Sequence, residues 1–190
     1  MKKEIRILGI DDMPFSFDDE VVDVIGVVMR GNHYIEGVLR TTIEVDGMNS
    51  TPSLTKLINN TRHSKQLKVV MVDGGALGGF NVVDIEKINE GTGVPIMTVT
   101  RNEPDEEKIK EALKKHFDDW EERWKILNKG EIKKLELNYP LYVKYSGIQP
   151  GEVREVVRLS IVRGAIPEPI RIAHLIATGI KTGESYGKNR

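Results

Sequence analysis

The chain has 190 residues, 39% hydrophobic and 30% charged, with 28 basic and 29 acidic side chains for a net charge of −1. That is enough apolar material for one cored domain and excludes a disordered chain, and the balanced charge lacks the strongly basic field of a protein that wraps duplex DNA non-specifically. Cysteine is absent, which excludes a disulfide framework, a thiolate metal site and a cysteine nucleophile, and fits a reducing cytoplasm.

The opening MKKEIRILGIDD meets acid before its apolar run reaches signal-peptide length, and no stretch approaches a membrane span. A soluble, cytoplasmic chain with no membrane partner is therefore expected. Lys2 to Ile10 reads as a strand that stops at the carboxylates of Asp11 and Asp12. Val21 to Met29 is a second strand, Gly31-Asn32 a hairpin signal, and Tyr34 to Val45 a third strand. After Asp46-Gly47 a helix is predicted from Pro52 to about Asn60, capped by Ser50 or Thr51. Lys68 to Val72 (KVVMV) is a short strand apolar on both faces, ending at Asp73 and the loop GGALGG.

Asn81 to Asn89 reads as helix and Val94 to Thr100 as another buried strand. From Pro104 to Leu127 apolar residues keep helical spacing, so one helix is predicted with Trp120 and Trp124 in its core stripe. Leu135 to Tyr145 reads as extended with a break at Pro140, Gly151 to Arg163 as helix, and a last helix starts near Pro167. Residues 181–190 read as a frayed tail of a single domain spanning 1–190. Three antiparallel strands followed by strand–helix alternation imply a mixed α/β sheet flanked by helices, with a C-terminal helical segment. A crossover would place the KVVMV strand beside the first strand and parallel to it. The carboxyl ends of the two, carrying Asp11 and Asp73, then open into one crevice.

Two carboxylates at adjacent strand ends repel each other unless a cation sits between them. A hard divalent ion, Mg2+ or Mn2+, removes that repulsion and takes oxygen ligands. The bland alternative is that either aspartate simply caps a turn. The spacing of GGALGG departs from G-x-G-x-x-G and no lysine follows it, so a nucleotide-binding loop is not indicated. Its glycines, Gly74 and Gly75 among them, instead let backbone pass close to the crevice and offer amides to a phosphate. His33, His63 and His116 read as surface or packing residues.

The order ILGIDD, then VVMVDGGALGGFN, then GVPIMTVTR, resembles that of endonuclease V: a strand ending in Gly-x-Asp, one ending in Asp-Gly, and one ending near a lysine. The segment PLYVKYSGIQPGEVREVVRLSIVRGAIPEPIRIAH is similar to that family's closing segment. The resemblance spans nearly the whole chain apart from an insert around Asn102 to Asn138. It is strongest to an archaeal endonuclease-V-like family, the domain of unknown function numbered ninety-nine. It implies a ribonuclease H-like fold and a metal-dependent nuclease acting on RNA or DNA. By position, Asp11 and Asp73 fall on the family's metal-binding aspartates, His174 on its supporting His/Asp, and Arg101 on a lysine near the substrate phosphates.

Three features depart from endonuclease V. The catalytic glutamate is replaced by Ser50 in an ungapped match, and a third metal-ligating carboxylate, from Asp46 or else Glu44, would have to come from a shifted position. The aromatic, proline-rich wedge is not evident, although YIEGVL echoes it, and glycines replace the His-Pro-Arg after Asp-Gly. Two functions follow: a Mg2+- or Mn2+-dependent phosphodiesterase, or a non-catalytic binder of nucleic acid or a nucleotide that reuses the crevice. Substrate and oligomeric state are not encoded in any motif.

Overall fold

In a computed structural model, residues 4–185 are described. Strands β1 (Arg6–Asp12), β2 (Val21–Arg30) and β3 (Tyr34–Glu44) form an antiparallel meander. Helix α1 (Ser50–Asn60) and a single 3-10 turn lead into β4 (Leu67–Asp73), which lies beside β1 and parallel to it. A small hairpin, β5 (Ala76–Leu77) and β6 (Asn81–Val82), precedes α2 (Ile85–Thr92) and β7 (Ile96–Thr100). There follow α3 (Glu106–His116), α4 (Trp120–Leu127), β8 (Lys133–Leu135), β9 (Leu141–Ser146), α5 (Pro150–Ser160) and α6 (Glu168–Thr182). The main sheet runs β3-β2-β1-β4-β7-β9-β8, with β1, β4 and β7 parallel and the strands at both ends antiparallel.

Alternation along the central strands divides the core. Leu8, Ile10, Val70 and Val72 pack with Leu54 and Ile58 of α1 and Ile88 of α2. Ile7, Val69, Met71, Met97 and Val99 face the other way, onto Val153, Val156 and Val157 of α5 and Ile170 of α6. Strand β3 is the sheet edge, and its alternating exposure marks one solvated face. Helix ends follow local chemistry. The Asp84 side chain accepts from Lys87 N–H at the start of α2, and Gly93 closes that helix in the left-handed conformation.

Several sequence expectations need correction. Strand β1 does not stop before the carboxylates but continues through them, because Asp11 and Asp12 pair with Ile25 and Val24 of β2. The helix after GGALGG begins at Ile85, since Asn81 and Val82 are taken into the β5–β6 hairpin. Helix α1 starts at Ser50, with Asn49 in the capping position. The run from Pro104 to Leu127 is two helices: Phe117 adopts an extended conformation and ends α3. Trp120 and Trp124 are consequently only half-buried, each beneath a lysine ammonium, Lys114 and Lys110 respectively. The segment around Pro140 forms two paired strands, β8 and β9. Helix α6 carries on through Lys181 and Thr182 of the expected tail, whose last residues, 186–190, lie outside the described ones, as do Lys2 and Lys3.

Candidate functional site

Ile10 of β1 is in register with Val72 of β4. Asp11 and Asp73 stand one step further along and present their side chains to the same face, on strands about 4.8 Å apart. Asp12 turns to the opposite face, where its carboxylate accepts the Gly78 N–H of the glycine hairpin. Asp11 is 3% exposed. Its Oδ2 and His174 Nδ1 are 2.9 Å apart, while Oδ1 accepts the Asp12 N–H. With the carboxylate ionised, Nδ1 carries the proton and donates. The other ring nitrogen, Nε2, lies 3.5 Å from Thr178 Oγ1, one turn further along α6.

Gly9 sets this contact. A Cβ at Gly9 would lie 2.2 Å from the Pro169 carbonyl carbon, so only glycine lets the start of α6 rest on β1. From residue 9 to 11 a strand advances about 6.7 Å, and from 169 to 174 a helix advances about 7.5 Å. His174 therefore arrives level with Asp11. The PEPIRIAH run is the device that makes this helix. Pro167 and Pro169 begin it, and the buried Glu168 carboxylate accepts a bidentate pair from Arg171. The Glu168 hydrogen bond raises the Arg171 pKa above the ordinary arginine value, and burial only partly opposes it.

The remaining sequence candidates fall into two groups. Arg101 directly follows β7, whose Val99 is opposite Asp73, so it stands at the same sheet edge. Gly74 has a φ of 83°, and its N–H donates to Val99 O at 3.1 Å, so that amide is used within the sheet rather than offered to a phosphate. The Gly75 carbonyl accepts from Val83 N–H. Asp46, at a φ of 54°, accepts the Phe80 N–H through Oδ1 at 2.8 Å. Ser50 is fully buried: its hydroxyl donates to Val82 O at 2.6 Å and its N–H to Asn81 Oδ1. Asn81, also fully buried, donates in turn to Glu44 O and Asn49 Oδ1. Glu44 ends β3, on the sheet edge. Among the described residues no three His, Cys, Asp or Glu side chains gather into a ready metal-ligand set. Asp11 and His174 are joined by their hydrogen bond.

Two residues escaped the sequence reading. Arg123, 5% exposed, donates to Asp119, to Gly47 O and to Phe80 O, and stacks on the Phe117 ring at 4.2 Å, tying α4 to the glycine hairpin. Its only sequence signal was a charge inside the Trp stripe. Lys144 of β9 points into a cavity beneath α3 and α4, and nothing in the alternation of PLYVKYS distinguished it.

With this geometry in hand, comparison with known proteins is informative. Residues 3–181 match the family described as endonuclease dU. A UPF0215 protein of Methanothermobacter thermautotrophicus is 48% identical over 98% of this chain and 93% of its own. A crystal structure of a protein of unknown function from Archaeoglobus fulgidus superposes with a TM-score of 0.84 at 37% identity, covering 93% of this chain and 98% of that one. Endonuclease V of Ciona intestinalis, in complex with a DNA 24-mer containing an inosine, gives 0.58 at 14% identity over 90% and 83% of the two chains. That last likeness shows a shared, ribonuclease H-like fold.

Proposed function

The chain belongs to the endonuclease dU family, and we propose that it is a divalent-metal-dependent phosphodiesterase cutting nucleic acid at the joint end of β1 and β4. One observation carries the reading: a buried Asp11 held by His174, on the same sheet face as Asp73 one strand away. Two carboxylates suit Mg2+ or Mn2+, which keep several waters and take one or two carboxylates plus substrate phosphate oxygens. They do not suit a closed structural zinc site, which needs four ligands. When bound, such an ion polarises a phosphoryl oxygen and lowers the pKa of attacking water.

The chain's own residues have separate parts. Asp11 and Asp73 hold the ion. His174 fixes the orientation of the Asp11 carboxylate, as an imidazole beside a ligating carboxylate does. Arg101, at the same edge, steadies a substrate phosphate. Asp46 remains a positioning residue of the glycine hairpin, through Phe80 N–H. The family description names deoxyuridine chemistry and the Ciona nuclease was bound to inosine DNA. Both are products of base deamination, so DNA with a deaminated base is the substrate class of choice.

The test is cleavage of deoxyuridine-containing and inosine-containing oligonucleotides with Mg2+ or Mn2+. Wild type is expected to cut, and Asp73→Asn to lose on the order of a hundredfold or more, as removal of several kcal/mol of metal stabilisation requires. Melting curves give a second readout. Without metal, Asp73→Asn is as stable as wild type or slightly more so, because like-charge repulsion is relieved. A metal at a hundredfold excess over Kd stabilises only wild type, by about 2.7 kcal/mol. Equal metal-induced shifts in both proteins would remove Asp73 from the site. One observation favours the binder as second reading: the Ser50 hydroxyl, at the position of the family glutamate, is committed to Val82 O. That reading predicts oligonucleotide binding without turnover.

A further inference from the structure

Consecutive residues of a strand face opposite ways, so the two aspartates that end β1 divide between the two sides of the sheet. Asp11 turns to His174. Asp12, half-buried, turns to the glycine hairpin, where its Oδ2 accepts the Gly78 N–H at 2.5 Å. The two are also joined to each other, since the Asp12 N–H donates to Asp11 Oδ1 at 3.1 Å. A path of hydrogen bonds thus runs from His174 through Asp11 and Asp12 to Gly78, from α6 across β1 to the tip of the hairpin.

The tip is shaped for that contact. Residues 78–80 join the paired residues Leu77 and Asn81. Gly78 has a φ of 53°, and a Cβ there would meet Val22 Cγ1 at 2.7 Å, so glycine lets the tip settle against β2. A second carboxylate holds the other side of the turn. Asp46 Oδ1 accepts the Phe80 N–H, and the Asp46 N–H donates to Gly78 O, both at 2.8 Å. The return strand is fastened elsewhere: Ser50 of α1 donates to Asn81 Oδ1 and Val82 O, and Arg123 of α4 to Phe80 O. Asp12 therefore ties a hairpin mounted on α1 and α4 back to the strand that carries Asp11. An amide bonded to a carboxylate is held about twice as strongly as one bonded to a neutral acceptor.

That link bears on where a bound strand is cut. Ala76 follows Asp73 by three residues, so the hairpin begins within about 11 Å of the Asp73 backbone at ~3.6 Å per residue. One strand of a duplex advances about 3.4 Å per nucleotide. A nucleic acid with one phosphate at the Asp11–Asp73 edge therefore comes level with the hairpin within about three nucleotides. A hairpin displaced by one such step changes which phosphate stands at the metal.

We propose that Asp12 is a positioning residue that fixes the hairpin tip relative to the Asp11–Asp73 edge, and with it the phosphate at which a bound strand is cut. It is not a metal ligand. The inference rests on the nuclease reading above and deepens it, giving the second of two adjacent aspartates a task distinct from the first.

The test compares wild type with Asp12→Ala and Asp12→Asn, of which only Asn keeps a side-chain oxygen that can accept the Gly78 N–H. On an oligonucleotide with a single deoxyuridine, with Mn2+, wild type is expected to cut at one phosphate. Asp12→Ala is expected to spread its cuts over neighbouring phosphates and to raise KM about 10- to 100-fold, the span of one hydrogen bond to a charged group, with a smaller loss in kcat. Asp12→Asn is expected to restore the single cut and most of the KM. Without substrate, exchange of the Gly78 amide is expected to quicken in the Ala variant and not in the Asn variant. Mn2+ alone is expected to raise the melting point of the Ala variant as much as that of wild type. Should the Ala variant fail to fold, Asp12→Leu keeps the bulk without the acceptor and carries the same expectations. A single, unmoved cut in a folded variant lacking the acceptor, or Gly78 exchange as slow as in wild type, overturns the proposal. A lost Mn2+ shift overturns it too, by making Asp12 a ligand. A wild type that cuts no oligonucleotide removes the nuclease reading and this inference with it. A wild type that cuts, beside variants that cut at the same phosphate, removes this inference alone.

Discussion

The two faces of the sheet at its carboxyl edge are built by different means. The Asp11–His174 face is made by β1 and α6, segments at opposite ends of the chain that meet through a close backbone approach at Gly9. The face with the cavity is made by residues 75–144, where two short helices cover a glycine hairpin and are tied to it by Arg123. The first arrangement is rigid because backbone lies on backbone. The second is held through side chains: Arg123 to Gly47 O and Phe80 O, Lys144 to Leu127 O, and Phe80 against Phe117. The same fold thus carries one face set by main-chain geometry and another set by side-chain contacts.

The contrast is sharpest at Gly9. Gly9→Ala places a methyl against the Pro169 backbone, which has no flexible end to yield, so α6 must shift off β1. A loss of about 3 kcal/mol is expected, the upper range of core overpacking, together with the Asp11–His174 hydrogen bond. Chemical denaturation reads the first and the His174 imidazole resonances the second. Wild-type stability with an unperturbed His174 would show that α6 docking does not depend on that contact.

Arg123→Ala attacks the other face. It leaves Gly47 O and Phe80 O without their donor and empties the space against Phe117. A loss of about 2–3 kcal/mol is expected. Hydrogen exchange should quicken in α3, α4 and the hairpin but not in β1 or α6. Uniform acceleration across the protein would mean the two faces are one cooperative unit.

The smallest expected effect is at Asp84, which caps α2 and accepts from Lys129 at 2.9 Å. Burial pushes its pKa up, but the Lys129 hydrogen bond, the Lys87 N–H and the nearby ammonium charges outweigh it, and the net shift is down. A lowered carboxylate contributes stability that is complete above the ordinary Asp pKa and lost as pH falls through the lowered one. Asp84→Asn keeps a capping side chain but removes the charge paired with Lys129, and should cost about 1 kcal/mol at pH 7, with the gap from wild type closing in acid. A gap independent of pH from 7 down to 2 would show that the carboxylate charge is not its source.

The sequence by itself carried the strand order around β1 and β4, the two strand-end aspartates, and the PEPIRIAH run that ends at His174. These are local patterns: apolar runs with period two, carboxylates where the runs end, and a proline start to a helix. The sequence's resemblance to endonuclease V pointed to Ser50 as the position of that family's glutamate, with Asp46 and Glu44 as the nearby carboxylates. Tertiary structure decided the rest. The helical spacing from Pro104 to Leu127 is indifferent to the break at Phe117, because folding back brings Trp124 over the cavity, with Arg123 bonded to the hairpin and stacked on Phe117. Lys144 stands in an ordinary strand alternation, and only the pairing of β9 with β7 sets it beside Thr98 under α4. A side chain's solvation, and with it its chemistry, depends on what packs over it, and those neighbours lie dozens of residues away.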